Sequence, residues 1–237
     1  MRQAKRGAPE GLCIVAREQT RGRGRQERVW VSPRDAGLYL SVLLRPQFIV
    51  SAWPLITLMA ALTVFDTLRD ACDLQTDIKW PNDIVVGERK LCGILAETVE
   101  TEPGLACVLG IGINLTTDAF PPQLNDRATS IAAAAAGKVI ETEELLSALL
   151  ERLPRRYAQL AEIDGAATII RDWTAASSFA DGKRVRVETG SEVFEGMTQG
   201  LASDGGLRVA THDGEISVVR AGDVQSLRSV PNHPGLE

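Results

Sequence analysis

The chain has 237 residues, with 26 Lys and Arg against 31 Asp and Glu, a formal charge of −5. That length suits one large domain or a medium domain followed by a small one, and the acidic balance argues against general nucleic-acid binding, which takes a basic face. Four scattered cysteines (Cys13, Cys72, Cys92, Cys107) and two histidines (His212, His233) form no zinc-type spacing, and the cysteines read as buried thiols in a reducing compartment; with no membrane-length apolar run and no signal-peptide core in MRQAKRGAPEG, the chain reads as cytoplasmic.

In chain order, Leu12 to Arg17 is a short apolar run that predicts a strand, and it delivers the chain into EQTRGRGRQERVW. Four arginines fall there between Arg21 and Arg28, with Gly22 and Gly24 between them. Glycines let backbone amides approach an anion, and arginines supply always-ionised forks for carboxylate or phosphate. The G-x-x-x-x-G-K-[ST] spacing of a P-loop is absent. The plainer reading is a solvated, flexible basic loop. Trp30 at its end could stack on a purine or simply pack in the core.

Gly37 to Leu44 predicts a strand with two apolar faces, hence one covered on both sides. Pro54 to Ala71 predicts a helix, with Leu55, Leu58, Met59, Leu62, Phe65 and Leu68 on one stripe and Pro54 in its first turn. Asp77 to Trp80, Asp83 to Val86 and Leu91 to Glu97 predict strands, the last two joined as a hairpin through Gly87 to Lys90. Between the first two lies KWPND (Lys79 to Asp83). Its Asn82-Asp83 pair suits either a plain turn or a magnesium-bound triphosphate. RKLCGIL (Arg89 to Leu95) offers a lysine at the mouth of a strand with Gly93 leaving space beside it. Leu105 to Leu115 is a further apolar run whose Gly110 and Gly112 permit close approach, with Asn114 at its end.

Thr142 to Ile163 predicts a helix striped by Leu145, Leu146, Leu149, Leu150 and Leu153, kinked or divided at Pro154. Ala166 to Ala176 predicts another. From about Ser178 the texture changes to short apolar pieces at Val185–Val187, Phe194–Thr198, Leu207–Ala210 and Ile216–Val219, spaced as in a small antiparallel barrel. The expected architecture is α+β: a mixed sheet with helices over residues 1–177, then a small all-β domain over 178–237.

The set GRGR, W-x-S-P (Trp30, Ser32, Pro33), GLYLSVLLRP, KWPND, RKLCGIL and GIGINL, in this order, resembles the biotin protein ligases over about Gly7 to Arg228. Ala128-Thr129-Ser130-Ile131 is similar to that family's A-T-S-L segment, and the tail through VQSLR to its C-terminal SH3-like barrel. The resemblance implies a class II synthetase-like catalytic domain, residues 1–177, and an SH3-like domain, residues 178–237. It implies ATP-dependent formation of biotinyl-5′-AMP and transfer of biotin to a lysine of a biotin carboxyl carrier protein. Lys90, Arg23 and Arg25 would be catalytic. Gln19, Arg23, Gly24, Arg25, Lys90 and Gly93 would bind biotin. Trp30, Lys79, Asn82 and Asn114 would bind ATP, and Asp83 the Mg²⁺. The loop would close over the intermediate and keep water off it.

Two departures stand out. The family's Ser-Thr-Asn segment, which lines the biotin pocket, has no counterpart before Thr20; the reading is that the start lies upstream of Met1, the alternative being a shortened, weak binder. Glu27 stands where relatives often carry glycine. The monofunctional type is implied, without the N-terminal DNA-binding domain of some relatives, with no DNA or membrane partner, and with edge-to-edge dimerisation open to it. The rival readings are a lipoate or octanoate ligase of the same fold, a non-catalytic biotin or nucleotide binder, and an Arg/Gly RNA-binding module.

Overall fold

A computed structural model describes residues 1–135, 140–190 and 192–226. His233, the last two residues of VQSLR and the tail of the expected second domain lie outside the described residues. After a four-residue helix α1 (Arg2–Lys5), the chain forms β1 (Cys13–Ala16) and β2 (Gly37–Leu44), then helix α2 (Leu55–Cys72). Strands β3 (Asp77–Lys79), β4 (Asp83–Val86), β5 (Arg89–Thr101) and β6 (Gly104–Asn114) follow, then helices α3 (Ile131–Ala134), α4 (Thr142–Leu160) and α5 (Gly165–Ala176). The first sheet is antiparallel throughout, in the order β1-β2-β6-β5-β4-β3.

Alternation along the strands gives this sheet two different faces. One carries Leu38, Leu40, Val42 and Leu44 of β2 with Leu109, Ile111 and Ile113 of β6, all buried in the main core with α2 and leucines of α4. Helix α2 is buried nearly all round rather than along one stripe; of the expected stripe only Phe65 stays half-buried, with Arg69 above its ring at 5.8 Å. Pro54 sits at the N-cap, one step outside the first turn. The helix ends on Asp73 in a left-handed conformation, φ 56°, and the Leu74 amide returns to the Leu68 carbonyl at 3.1 Å.

Arg156 of α4 ties three helices together. It bonds Asp66 of α2 at 2.8 Å and Asp172 of α5 at 2.7 Å. The expected break at Pro154 does not occur: α4 runs from Thr142 to Leu160 without interruption. Pro154 lies on the exposed side, where water can serve the carbonyl that loses its amide partner. Cys72, Cys92 and Cys107 are buried as expected, but Cys13 is exposed. It lies on edge strand β1, whose apolar Ile14 and Val15 are also half exposed, so an apolar run did not mean a covered strand.

Strands β7 (Asp181–Glu188), β8 (Val193–Leu201), β9 (Leu207–Ala210), β10 (Ile216–Val219) and β11 (Asp223–Ser226) form a second antiparallel sheet, ordered β10-β9-β8-β7-β11. It docks on the first unit through the turn at Gly205. Buried Trp80 donates its indole N–H to the Gly205 carbonyl at 3.0 Å. Gly205 has φ +83°, and a Cβ there would meet Leu55 and Leu58 at 2.9 and 3.0 Å. Ser177 Oγ donates to the Ile78 carbonyl at 2.5 Å, and Ser178 bonds the Asp77 carboxylate.

Candidate active site

The second face of the first sheet is the floor of the site, and it reads as rows of paired residues. Tyr39, Gly112 and Gly93 form the first row; Ser41, Gly110 and Leu95 the second; Leu43, Val108 and Glu97 the third. Beyond the third row, α1 covers the sheet with Ala4 against Leu43, Val99 and Ala106. The glycine end is covered by the Arg/Gly segment.

That segment is a hairpin, not a loose loop. Trp30 N–H bonds the Gly22 carbonyl at 3.0 Å, Gly24 N–H the Arg28 carbonyl at 2.7 Å, and Arg28 N–H the Arg25 carbonyl at 3.1 Å. Gln26 and Glu27 occupy the turn with φ 53° and 59°. Two successive left-handed residues mark the primed turns that suit strand twist. This accounts for the second departure: glycine takes that conformation without strain, whereas Glu27 takes it against its Cβ. Gly22 is required where it stands, because a Cβ would lie 2.2 Å from the Trp30 carbonyl.

Trp30 lies on the first row. A Cβ at Gly112 would fall 2.6 Å from its Nε1, and one at Gly93 2.9 Å from its ring. The two glycines, paired across β5 and β6, are what admits the indole. Its Nε1 is buried with no hydrogen-bond partner, an orphan donor on the floor. Lys90 Nζ stands 5.2 Å from the Trp30 ring centre and 2.6 Å from Asp83 Oδ1. The backbone of Lys90 is clamped by the segment after η-turn Pro122–Leu124: its N–H bonds the Arg127 carbonyl and its carbonyl accepts from Thr129 N–H, both at 2.9 Å. Buried Asn114 donates its amide to the Thr129 carbonyl at 2.9 Å and to that of Lys90 at 3.3 Å. The Ala128-Thr129-Ser130-Ile131 segment therefore holds the lysine.

Arg25 is half-buried, and its guanidinium makes no hydrogen bond or ion pair among the described residues. Burial lowers its pKa, with the Asp83 charge pulling the other way. It lines a cavity of about 200 Å³ with Trp80, Pro81, Leu95, Asp204, Gly205 and Arg220, so both sheets contribute to the wall. Lys79 has its pKa lowered by burial, opposed by Asp83. Arg23 pairs with Glu97 at 2.7 Å.

The remaining expected residues have structural tasks in this geometry. Gln19 accepts from Ser32 Oγ at 2.7 Å. The Gly24 amide closes the hairpin. Asn82 gives its amide to the Ile94 carbonyl at 2.7 Å and takes the Ile94 N–H at 2.9 Å, fixing β4 against β5. Glu97 was missed: it follows RKLCGIL by two residues, but nothing in the sequence links it to Arg23, 74 positions away. Among the described residues no group of three metal-ligating side chains occurs.

An antiparallel floor bared by paired glycines, roofed by a cationic hairpin and abutted by a second small sheet, fits an anion-activating acyl ligase of the biotin/lipoate type. Residues 3–114 match the biotin/lipoate A/B protein ligase family and residues 182–226 the biotin protein ligase C-terminal domain, which is the SH3-like module. The bifunctional ligase/repressor BirA of Bacillus subtilis is 35% identical over 225 residues, covering 94% of this chain and 68% of that one. A biotin–[acetyl-CoA-carboxylase] ligase of Paracoccus denitrificans is 34% identical over 207 residues, 85% of each chain. The biotin protein ligase of Aquifex aeolicus in complex with biotin and ATP superposes with TM-score 0.80 at 29% identity, covering 94% of this chain and 91% of that one. The chain belongs to the biotin protein ligase family.

Proposed function

We propose that this protein uses ATP to convert biotin to biotinyl-5′-AMP and passes the biotinyl group to a lysine of a carboxylase's carrier protein. In the first step a biotin carboxylate oxygen bonds the α-phosphorus and pyrophosphate leaves. In the second, the lysine amine bonds the acyl carbon, AMP leaves, and the amine loses a proton. Two anions must meet, so cations must be in place before they arrive. The observation that carries this reading is Arg25: a half-buried guanidinium with no hydrogen bond or ion pair among the described residues, within reach of the Asp83 charge, at a cavity walled by both sheets. A half-buried charge with no direct ion pair is costly, and an incoming carboxylate or phosphate supplies one.

Lys90, oriented by Asp83, would bridge the biotin carboxyl and the α-phosphate. Trp30 and Asn114 would bound the nucleotide, and Lys79 would add charge near its phosphates. Gln19, Gly93 and the hairpin would bound biotin. Asp83 is a single carboxylate already paired with Lys90, which fits a Mg²⁺ that arrives on the nucleotide with most of its ligands from phosphate and water. Such an ion would neutralise phosphate charge.

We divide the chain between Ser177 and Ser178, where both side chains bond back to β3, and place it in the cytoplasm, where buried thiols stay reduced. No helix among the described residues is long and apolar enough to cross a membrane. The open edge of β1 is where a second copy would extend the sheet, which sedimentation at rising concentration would test. The function itself is tested by mass detection of biotinyl-5′-AMP from biotin and MgATP, with lipoate as competitor. The reading expects a biotin adenylate that excess lipoate does not suppress; a lipoyl adenylate in its place would overturn it.

A further inference from the structure

The hairpin touches the floor at two places. Trp30 rests on the first row, against Gly93 and Gly112. Arg23 reaches the third row, where its Nη2 lies 2.7 Å from Glu97 Oε2. Glu97 lies four residue steps along β5 from Gly93, a span of roughly 13 Å at strand rise. Between them the second row, Ser41, Gly110 and Leu95, is roofed but not filled: a Cβ at Gly110 would meet only the Leu95 carbonyl, at 3.5 Å. The hairpin thus arches over a slot, fastened at each end.

Its two central arginines are in opposite situations. Arg23 is exposed and already neutralised by Glu97, with side-chain exposures of 57% and 27%. Arg25 is more buried and has no partner among the described residues. We infer that Glu97 is a positioning residue that fastens the hairpin through Arg23, leaving Arg25 as the guanidinium that meets the ligand. The inference rests on reading the slot as the biotin-activation site, and it assigns different work to two arginines that sequence alone treats as equivalent. A solvent-exposed ion pair is weak. Weakness suits a roof that must lift in every turnover to admit substrates and expose the adenylate to the acceptor.

The test compares the full chain with Glu97→Gln, Arg23→Glu, Glu97→Arg and the exchanged double variant Arg23→Glu/Glu97→Arg. In the ligand-free proteins, trypsin cleavage after Arg21, Arg25 or Arg28 is followed by mass. A lost exposed pair predicts cleavage about two- to fivefold faster in the single variants, with the double variant returning to within about twofold of wild type. With biotin and MgATP, biotinyl-5′-AMP escaping into solution should rise and return in the same pattern, while thermal midpoints stay within about 2 °C. Unchanged cleavage in Glu97→Gln, or a double variant no better than Arg23→Glu, would overturn the inference. If cleavage follows the expected pattern but wild type makes no adenylate, the fastening stands and the biotin reading fails.

Discussion

At the scale of single residues, the site depends on what glycines leave out. Gly93 and Gly112 are opposite each other on neighbouring strands, and the Trp30 indole occupies the space their side chains would take. Gly112→Val should therefore expel the indole and lift the hairpin from the first row. We expect biotin adenylation to fall at least about a hundredfold while the sheet folds, since misplacing positioning groups by an ångström costs that much; single-turnover adenylate formation with circular dichroism checks it. Much of this was legible. GRGR, KWPND and RKLCGIL named the right segments because each carries an anion-binding residue type beside a glycine or a turn. What they could not convey was the geometry among them. The Arg/Gly stretch read as a flexible loop, since the sign of φ at Gln26 and Glu27 is not written in their side chains. Arg23 and Arg25 looked alike because burial and the Glu97 contact arise only in three dimensions.

At the scale of elements, helix pattern was easier to read than helix relations. The leucine stripe of α4 was correct in kind, but Pro154 suggested a break that its exposed position makes unnecessary. The link among α2, α4 and α5 through Arg156 was invisible, because Asp66 and Asp172 are 90 and 16 residues away from it. Burial raises the Asp172 carboxyl, but hydrogen bonds from Arg156 and Arg171 and their charges outweigh it, leaving it below the ordinary 3.8. A carboxyl with a depressed folded-state pKa stabilises the fold above its unfolded value and loses that contribution as pH falls through the folded value. The stability difference between wild type and Asp172→Asn should thus be constant above about pH 5 and shrink below pH 4, read from urea midpoints across pH 3 to 7. A difference that grows toward acid would show that the carboxyl is not held ionised.

At the scale of the whole molecule, the two sheets meet at Trp80 and Gly205. Trp80 of KWPND received no role from the sequence, and its buried side chain holds the second sheet by the Gly205 carbonyl. Arg25 of the hairpin and Arg220 of the second sheet line one cavity, so the SH3-like unit contributes to its wall. Gly205→Ala should strain a backbone at φ +83° and press on Leu55 and Leu58, costing about 1–3 kcal/mol and loosening the interface. Guanidinium unfolding, with tryptophan fluorescence, would read that loss. The central claim is that the lysine held by Asp83 between the glycine floor and the hairpin activates biotin for transfer. Its most direct measurement is incubation of the full chain with biotin, MgATP and an apo carrier protein, detecting the modified carrier by mass, with Lys90→Ala beside it. The account predicts a single biotinyl addition on the carrier's lysine with wild type and a loss of about a hundredfold or more in the variant. Equal biotinylation by Lys90→Ala would contradict it.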